Sequence, residues 1–360
     1  MKVLIIGTRG IPANYGGFES LAQYLNAHST SQISFEVLNP PWNSRQRQSS
    51  VLRLCGRLVE LNQKSFALFY GTWLITRDLS LYSGLLVTNA VYVWVLRLKR
   101  HPSVVVFHTD GLEYKRKKWG ILGRLIHYIS RRAVAKMNFE VISDSQTIAK
   151  AFPAPAEKQI KVITYGGCER VNDAHLWKPL KCENPYFLVV ARPVPENQLD
   201  KIVDAFISAS NTKCSLRVIG APKRPDRYWK KIKSRSADFD IHFLPANYDT
   251  DYICDQICNC YAMIHGHSVG GANPSLILAL SHLAPVLAYD CIFNREVGRN
   301  QATYWRNSTD LATQLSRIAI DPSSRPQPSA CTPTWHEISN KYQVLFEELI
   351  NTAASYEGGL

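Results

Sequence analysis

Short, uninterrupted apolar runs alternate with helix-patterned segments along almost the whole chain, and this alternation leaves few folds open. In the first half the runs fall at residues 3–6, 35–38, 85–88, 104–107, 140–143 and 161–164. In the second half they fall at 187–191, 216–219, 242–244, 262–265 and 286–288. A strand with one wet face alternates apolar and polar residues. A continuous apolar run of this length is a strand covered on both faces, as in a parallel sheet flanked by helices. Between the runs, Leu199, Ile202, Val203, Phe206 and Ile207 follow the i, i+3, i+4, i+7, i+8 stripe of a core-facing helix. Ile338, Tyr342, Leu345 and Leu349 repeat that spacing near the end, after a capping box at Thr334-Trp335-His336-Glu337.

The chain has 360 residues, enough for two such α/β units. The break is expected at 171–185, which holds Asn172, Asp173, Pro179 and Pro185. Apolar residues at 46% and charged residues at 20% exclude a disordered chain, and 19 Gly with 19 Pro exclude a collagen-like one. The longest apolar stretch, 79–96, carries Ser80, Ser83, Thr88 and Asn89 and contains Gly84. It reads as a helix end followed by a buried strand over 85–91, not as a membrane span. Nine Cys with irregular spacing, and no secretory leader, point to a reducing cytosol. Cys254, Cys258 and Cys260 lack zinc-site spacing and read as buried thiols of one helical turn. Asp238-Phe239-Asp240 spells a metal-binding triplet but precedes a strand, so no metal is expected.

Two glycine loops follow strands. The first is Gly7-Thr8-Arg9-Gly10-Ile11-Pro12-Ala13-Asn14-Tyr15-Gly16-Gly17, with a helix starting near Phe18. Its spacing is not that of a dinucleotide fingerprint, and it has no phosphate-binding lysine. It is either a plain tight turn or an anion loop at a helix N-terminus. The second is His265-Gly266-His267-Ser268-Val269-Gly270-Gly271-Ala272-Asn273-Pro274-Ser275. Asn273 suits an N-cap and Pro274 the first helical position, so the backbone N–H groups of this turn can cradle a phosphate. Arg192, at the end of the first strand of the second unit, is placed to neutralise a diphosphate. His108, His265 and His267 lie at or just past strand ends, as core or site residues.

The formal net charge is +13. Residues 1–180 hold 24 Lys+Arg and 11 Asp+Glu, which accounts for all of it, and 181–360 are balanced. Lys115, Arg116, Lys117, Lys118, Arg124, Arg131, Arg132 and Lys136 crowd into 115–136, interleaved with Trp119, Ile121, Leu122, Leu125, Ile126 and Ile129. Such a segment is either a solvated helix over the sheet or a face for an anionic membrane surface. No nucleic-acid module is recognisable, and nucleic acid is not an expected partner.

Six motifs, in order, resemble the family 4-type retaining glycosyltransferases, and most of all their rhamnosyltransferase-like branch of polysaccharide biosynthesis. They are GTRGIPANYGGFES, DGLEYKRKKWG, ISDSQTIAKAF, VARPVPENQ, HGHSVGGANPSL and AYDCIFNREV. The resemblance implies an α/β fold of GT-B type, two facing Rossmann-like doubly wound domains with a C-terminal crossover helix. It implies an acceptor-side domain over 1–175, a donor-binding domain over 185–330 and a helix over 331–360 packing back on the first domain. The implied donor is a nucleoside-diphosphate-sugar, used as a co-substrate with no cofactor and no metal. The implied acceptor is a lipid-linked oligosaccharide at the inner face of the cell membrane, met by a cytoplasmic, peripheral protein.

Position by position, the resemblance places Gly16, Gly17, Arg192, Ser268, Gly270, Gly271, Asn273, Pro274 and Ser275 around the donor. It matches Asp110 and Glu113 to a cleft signature after the fourth strand; these two, with His267 inside the second loop, are the candidates for the reacting centre. Arg9 and the Asn294-Arg295-Glu296 triplet belong to motifs of uncertain role. Two departures stand out. Asn197 replaces the family's lysine, and Leu278 replaces the glutamate that holds the nucleotide ribose. The second puts a catalytically impaired homologue, one that binds sugar nucleotide or scaffolds an assembly complex, beside the enzyme as the alternative. A nicotinamide-dependent oxidoreductase is disfavoured by the broken fingerprint and the missing acidic ribose partner.

Overall fold

Every strand pairing among the described residues is parallel. The structure, a computed structural model, describes residues 1–14, 16–43, 54–56, 58, 66–109, 111–116, 119–137, 139–153, 160–168, 177, 185–209, 214–222, 224–326 and 332–357. The first sheet holds β1 (Lys2–Ile6), β2 (Ser34–Val37), β3 (Gly84–Val87), β4 (Val104–Thr109), β5 (Glu140–Ser143) and β6 (Lys161–Val162). They lie in the order β2-β1-β3-β4-β5-β6. Its helices are α1 (Gly17–Ala27), α2 (Phe66–Leu74), α3 (Val93–Leu96), α4 (Ile121–Lys136) and α5 (Gln146–Lys150).

The second sheet holds β7 (Tyr186–Val190), β8 (Ser215–Ala221), β9 (Ile241–Pro245), β10 (Ala262–His265), β11 (Val286–Tyr289) and β12 (Thr303–Trp305), in the order β12-β11-β10-β7-β8-β9. Between its strands run α6 (Leu199–Ser208), α7 (Arg227–Arg235), α8 (Thr250–Cys258), α9 (Pro274–Ser281) and α10 (Ile292–Gly298), and α11 (Ser308–Ile320) follows β12. The last helix is α12 (Trp335–Glu357). By contacts the chain divides into Met1–Thr164 with His336–Leu360, and Tyr165–Trp335.

The apolar runs are continuous because both faces of each sheet are covered. In β7, Phe187 and Val189 join one core with Leu199, Ile202 and Phe206 of α6 and Leu311 and Leu315 of α11. Tyr186 and Leu188 point the other way, into a core with Ile253 and Ile257 of α8 and Leu276 and Leu280 of α9. Successive residues of a strand face opposite sides, so each side chain buries against a different helix layer. Each fully buried Leu, Ile or Phe contributes about 1.5–3 kcal/mol.

Two differences from the sequence reading concern strands. The strand expected over 85–91 stops at Val87, because the Asn89 side chain accepts from the Val91 N–H at 3.1 Å and turns the chain into a short 3-10 turn. And β12 escaped the sequence reading. Of its three residues only Trp305 is buried, so it has no apolar run to see.

The topology also locates candidate crevices. From β7 the second unit winds outward through β8 and β9, then returns to the far side of β7 for β10, β11 and β12. The order reverses between β7 and β10. In open parallel sheets, ligands bind outside the carboxyl ends of the strands at such a reversal. The first sheet reverses between β1 and β3.

Candidate functional site

The chain leaving β7 reaches the exposed Arg192 two residues past the strand end. The Arg192 carbonyl accepts from the Val194 N–H at 2.8 Å and from Asn197 Nδ2 at 2.8 Å. Asn197 Oδ1 is then 2.9 Å from His267 Nδ1, in the loop that leaves β10. Since the Asn197 oxygen can only accept, Nδ1 carries the proton in this contact. Asn197, standing where the resemblance has a lysine, thus ties the two sides of the reversal together.

The same loop is fixed to the β7 side at a second point. Ser268 donates both its N–H, at 2.9 Å, and its hydroxyl, at 2.8 Å, to the Glu196 carbonyl. Gly266 has no room for a side chain, since a Cβ there would lie 2.2 Å from the Asn197 carbonyl oxygen. Gly270 takes a φ of 150°, which L side chains rarely adopt. Asn273 caps α9, accepting from the Ser275 N–H at 3.0 Å and the Ser275 hydroxyl at 2.8 Å, with Pro274 at the first helical position. Among the described residues the N–H groups of Gly270, Gly271 and Ala272 make no hydrogen bond. Backbone donors at a helix N-terminus, with no acidic residue from Gly266 to Ser275, suit an anion. Leu278 is half-buried on α9 and packs against the apolar core, so no carboxylate stands at that position.

Two members of the Asn294-Arg295-Glu296 triplet take different roles. Asn294 is buried, and its Nδ2 donates to the His267 and Tyr289 carbonyls, both at 2.8 Å. Arg295 is exposed, paired with Asp290 at 2.5 and 2.9 Å and lying over the Tyr304 ring at 4.4 Å. Its hydrogen bond holds the Asp290 carboxyl below the ordinary carboxylate range. Glu296 is half-buried on α10. His265 ends β10 with its Nε2 buried and without a hydrogen-bond partner, and burial lowers its pKa to about 4.

In the first unit the glycine loop is differently arranged. The Arg9 N–H donates to Glu19 Oε1 at 2.9 Å, the Ile11 N–H to Asn39 Oδ1 at 2.8 Å and the Ala13 N–H to Gln23 Oε1 at 2.6 Å. Glu19 is buried in the first turn of α1, beneath Gly16 and Gly17. A Cβ on Gly16 would lie 3.5 Å from Glu19 Oε2, an ordinary contact. The Arg9 guanidinium lies 5.1 Å from the Phe66 ring centre.

At the carboxyl ends of β3 and β4 a small cavity is lined by Asn89, His108, Glu113, His127 and Arg131, among others. Burial drives the His108 pKa down to about 3. Asp110 lies outside the described residues. Glu113 pairs with Arg116 at 2.8 Å and accepts from the Trp119 indole N–H, contacts that brace the turn before α4. The sequence reading passed over His127 and Glu19. For His127 a signal existed: His127, Ser130, Arg131 and Val134 are the buried face of α4, at i, i+3, i+4, i+7.

That face makes α4 unusual, because its large apolar side chains point to solvent. Ile121 is 88% exposed and Leu122 71%, and Leu125, Ile126 and Ile129 are exposed beside Arg124, Arg132 and Lys136. On the inward side of α4, Ser130 accepts from the indole N–H of Trp94, of α3, at 2.9 Å. Lys117 and Lys118 lie outside the described residues. Among the described residues no helix is long and apolar enough to cross a membrane, and no group of three or more His, Cys, Asp or Glu could hold a metal ion.

No protein-family model matches the chain, and no curated protein matches it. Solved structures do match over its whole length. HepE from Anabaena, in complex with UDP-glucose, shares 13% identity at a TM-score of 0.64, covering 99% of this chain and 100% of its own. Sucrose-phosphate synthase from Thermosynechococcus elongatus shares 15% at 0.63, covering 99% and 98%. WaaG, a glycosyltransferase involved in lipopolysaccharide biosynthesis, shares 14% at 0.59, covering 98% and 99%. The fold is GT-B, with two Rossmann-like α/β units. At these identities the likeness is one of fold.

Proposed function

We propose that this chain is a retaining glycosyltransferase. It moves a sugar, rhamnose or another hexose, from a nucleoside diphosphate to a lipid-linked oligosaccharide in cell-surface polysaccharide assembly. The observation that carries this reading is that Arg192, just past β7, and the unbonded amides of Gly270, Gly271 and Ala272, in the loop after β10, follow the two strands of the reversal. The UDP-glucose complex of HepE and the involvement of WaaG in lipopolysaccharide biosynthesis, on the same fold, support it.

In the reaction the bond from the sugar's anomeric carbon to the donor phosphate breaks, and its electron pair leaves with the nucleoside diphosphate. The acceptor hydroxyl forms the new bond on the same face and gives up its proton. The sugar passes through an oxocarbenium-like state, so the developing charge on the leaving phosphate must be stabilised in place. Arg192, the amides around Gly270 and Gly271, and the turn capped by Asn273, Pro274 and Ser275 supply that stabilisation. Gly16 and Gly17, at the start of α1, are the residues of the first unit assigned to the donor. His267 is one candidate to take that proton, and Asp110 is a second. Glu113, engaged by Arg116 and Trp119, orients its segment. Incubation with labelled dTDP-rhamnose and UDP-hexoses plus a membrane extract should yield a labelled lipid-linked product. No product from any donor would overturn the reading.

Leu278 favours one second reading, a homologue that binds the nucleotide without turnover. Thermal stabilisation by UDP or dTDP with no transfer supports it, and a Leu278→Glu variant that gains about tenfold in affinity shows the missing ribose contact.

The acceptor and the cytoplasmic, peripheral location at the inner face of the membrane belong to the same proposal. Its support is the solvent-facing apolar stripe of α4 flanked by Arg124, Arg132 and Lys136. Apolar burial plus about 1 kcal/mol per basic residue near an anionic surface suffices for reversible docking. Vesicles rich in anionic lipid should pellet the protein at low salt, and Ile121→Ser with Leu125→Ser should abolish pelleting. Equal pelleting by neutral vesicles would remove the charge argument.

A further inference from the structure

We infer that Asn294 is a positioning residue: from α10, just past β11, it sets the backbone of the Gly266–Asn273 loop that the proposed donor site depends on. The inference rests on that reading for its functional consequence, but the geometry is independent of it. Asn294 is 1% exposed, so it touches no solvent-borne ligand directly. Its single Nδ2 reaches two carbonyls on different segments, His267 in the loop and Tyr289 at the end of β11. The Cys291 thiol adds a weaker contact to the same His267 carbonyl at 3.5 Å.

These contacts complete a lateral series across three neighbouring strand ends. The Arg192 carbonyl is bonded to Asn197, Asn197 to the His267 ring, the His267 carbonyl to Asn294, and Asn294 to Tyr289. The strands they leave, β7, β10 and β11, are adjacent in the sheet. His267 is thus held at its ring from one side and at its backbone from the other. With the carbonyl turned toward Asn294, the loop that follows is directed as one piece. A buried amide is needed because it must donate two bonds while filling a fixed volume. Aspartate, of the same shape, has no proton to give when ionised and would face two carbonyl oxygens.

Hydrogen exchange on the full-length protein, without ligand, tests this directly. In Asn294→Ala the loop amide of Ser268, bonded to the Glu196 carbonyl, should exchange at least about tenfold faster, while those of β7 and β8 keep their rates. Asn294→Asp, which preserves side-chain volume, should do the same if the alanine variant folds poorly. Titration with UDP and dTDP should show about a tenfold loss of affinity in either variant, and less than twofold in Arg295→Ala on the same helix. Exchange rising evenly throughout the second unit, or unchanged in the loop, overturns the inference. If the wild-type protein binds neither nucleotide, the donor reading fails, and the exchange pattern alone decides the role of Asn294.

Discussion

The two glycine loops look alike in the sequence and differ in what their backbones are left to do. After β1, side chains of the same unit take the amides: Glu19 holds Arg9, Asn39 holds Ile11 and Gln23 holds Ala13. A buried carboxylate then sits at the helix start. After β10, side chains hold carbonyls instead. Ser268 and Asn294 fix the loop without consuming the amides of Gly270, Gly271 and Ala272. The sign of the local field follows from this division. Glycine content shows where a backbone can approach a ligand, and the hydrogen-bond partners decide whether an anion is welcome.

The largest effect that would sharpen this contrast is loss of the cation just past β7. Arg192→Ala should weaken UDP or dTDP binding roughly 10- to 100-fold, as expected for one or two charge-assisted bonds. Calorimetric titration reads it, and an unchanged affinity breaks the assignment of the second loop to phosphate.

Next comes a matched pair of substitutions. Gly266→Ala drives a Cβ into the Asn197 carbonyl and should cost about 1–3 kcal/mol, seen as a lower denaturant midpoint. Acid should act on a similar scale. Because burial lowers the folded-state pKa of His265 to about 4 from 6.5, the unfolded chain binds the proton more readily. The contribution is complete above about pH 6.5 and falls as the pH drops toward 4. By pH 5 the loss amounts to about 2 kcal/mol, which His265→Asn should remove from the pH dependence. His108, lowered further still, adds a second fall of the same sign from the first unit. The smallest effect belongs to the other half of the pair. Gly16→Ala meets only an ordinary contact on extended backbone and should change stability by less than about 0.5 kcal/mol. A large loss there would mean that the two loops are equally crowded.

Much of this was legible beforehand, for reasons that also explain the gaps. Strands covered on both faces announce themselves as apolar runs, so β5 and β10 fall where 140–143 and 262–265 placed them. A three-residue edge strand such as β12 sends no such signal. The Asn273-Pro274 start of α9 is local chemistry and could be read from two residues. The bridges made by Glu19, Asn197 and Asn294 could not, because each joins segments that only the folded sheet brings together. The interleaving of Ile121, Leu125 and Ile129 with basic residues marked this segment as amphipathic. It could not show that Ser130, Arg131 and Val134 take the inward side.

The last helix has a consequence for how the molecule is made. Phe346 of α12 comes within 3.2 Å of where a Gly84 Cβ would be and packs edge-on against Phe35, while Gln343 bonds the His28 carbonyl. The amino-terminal unit therefore cannot close its interior until α12 has left the ribosome, by which time Tyr165–Trp335 is already complete. During translation the amino-terminal sheet waits with an apolar wound open, and a premature stop before Trp335 would harm the beginning of the protein more than its middle.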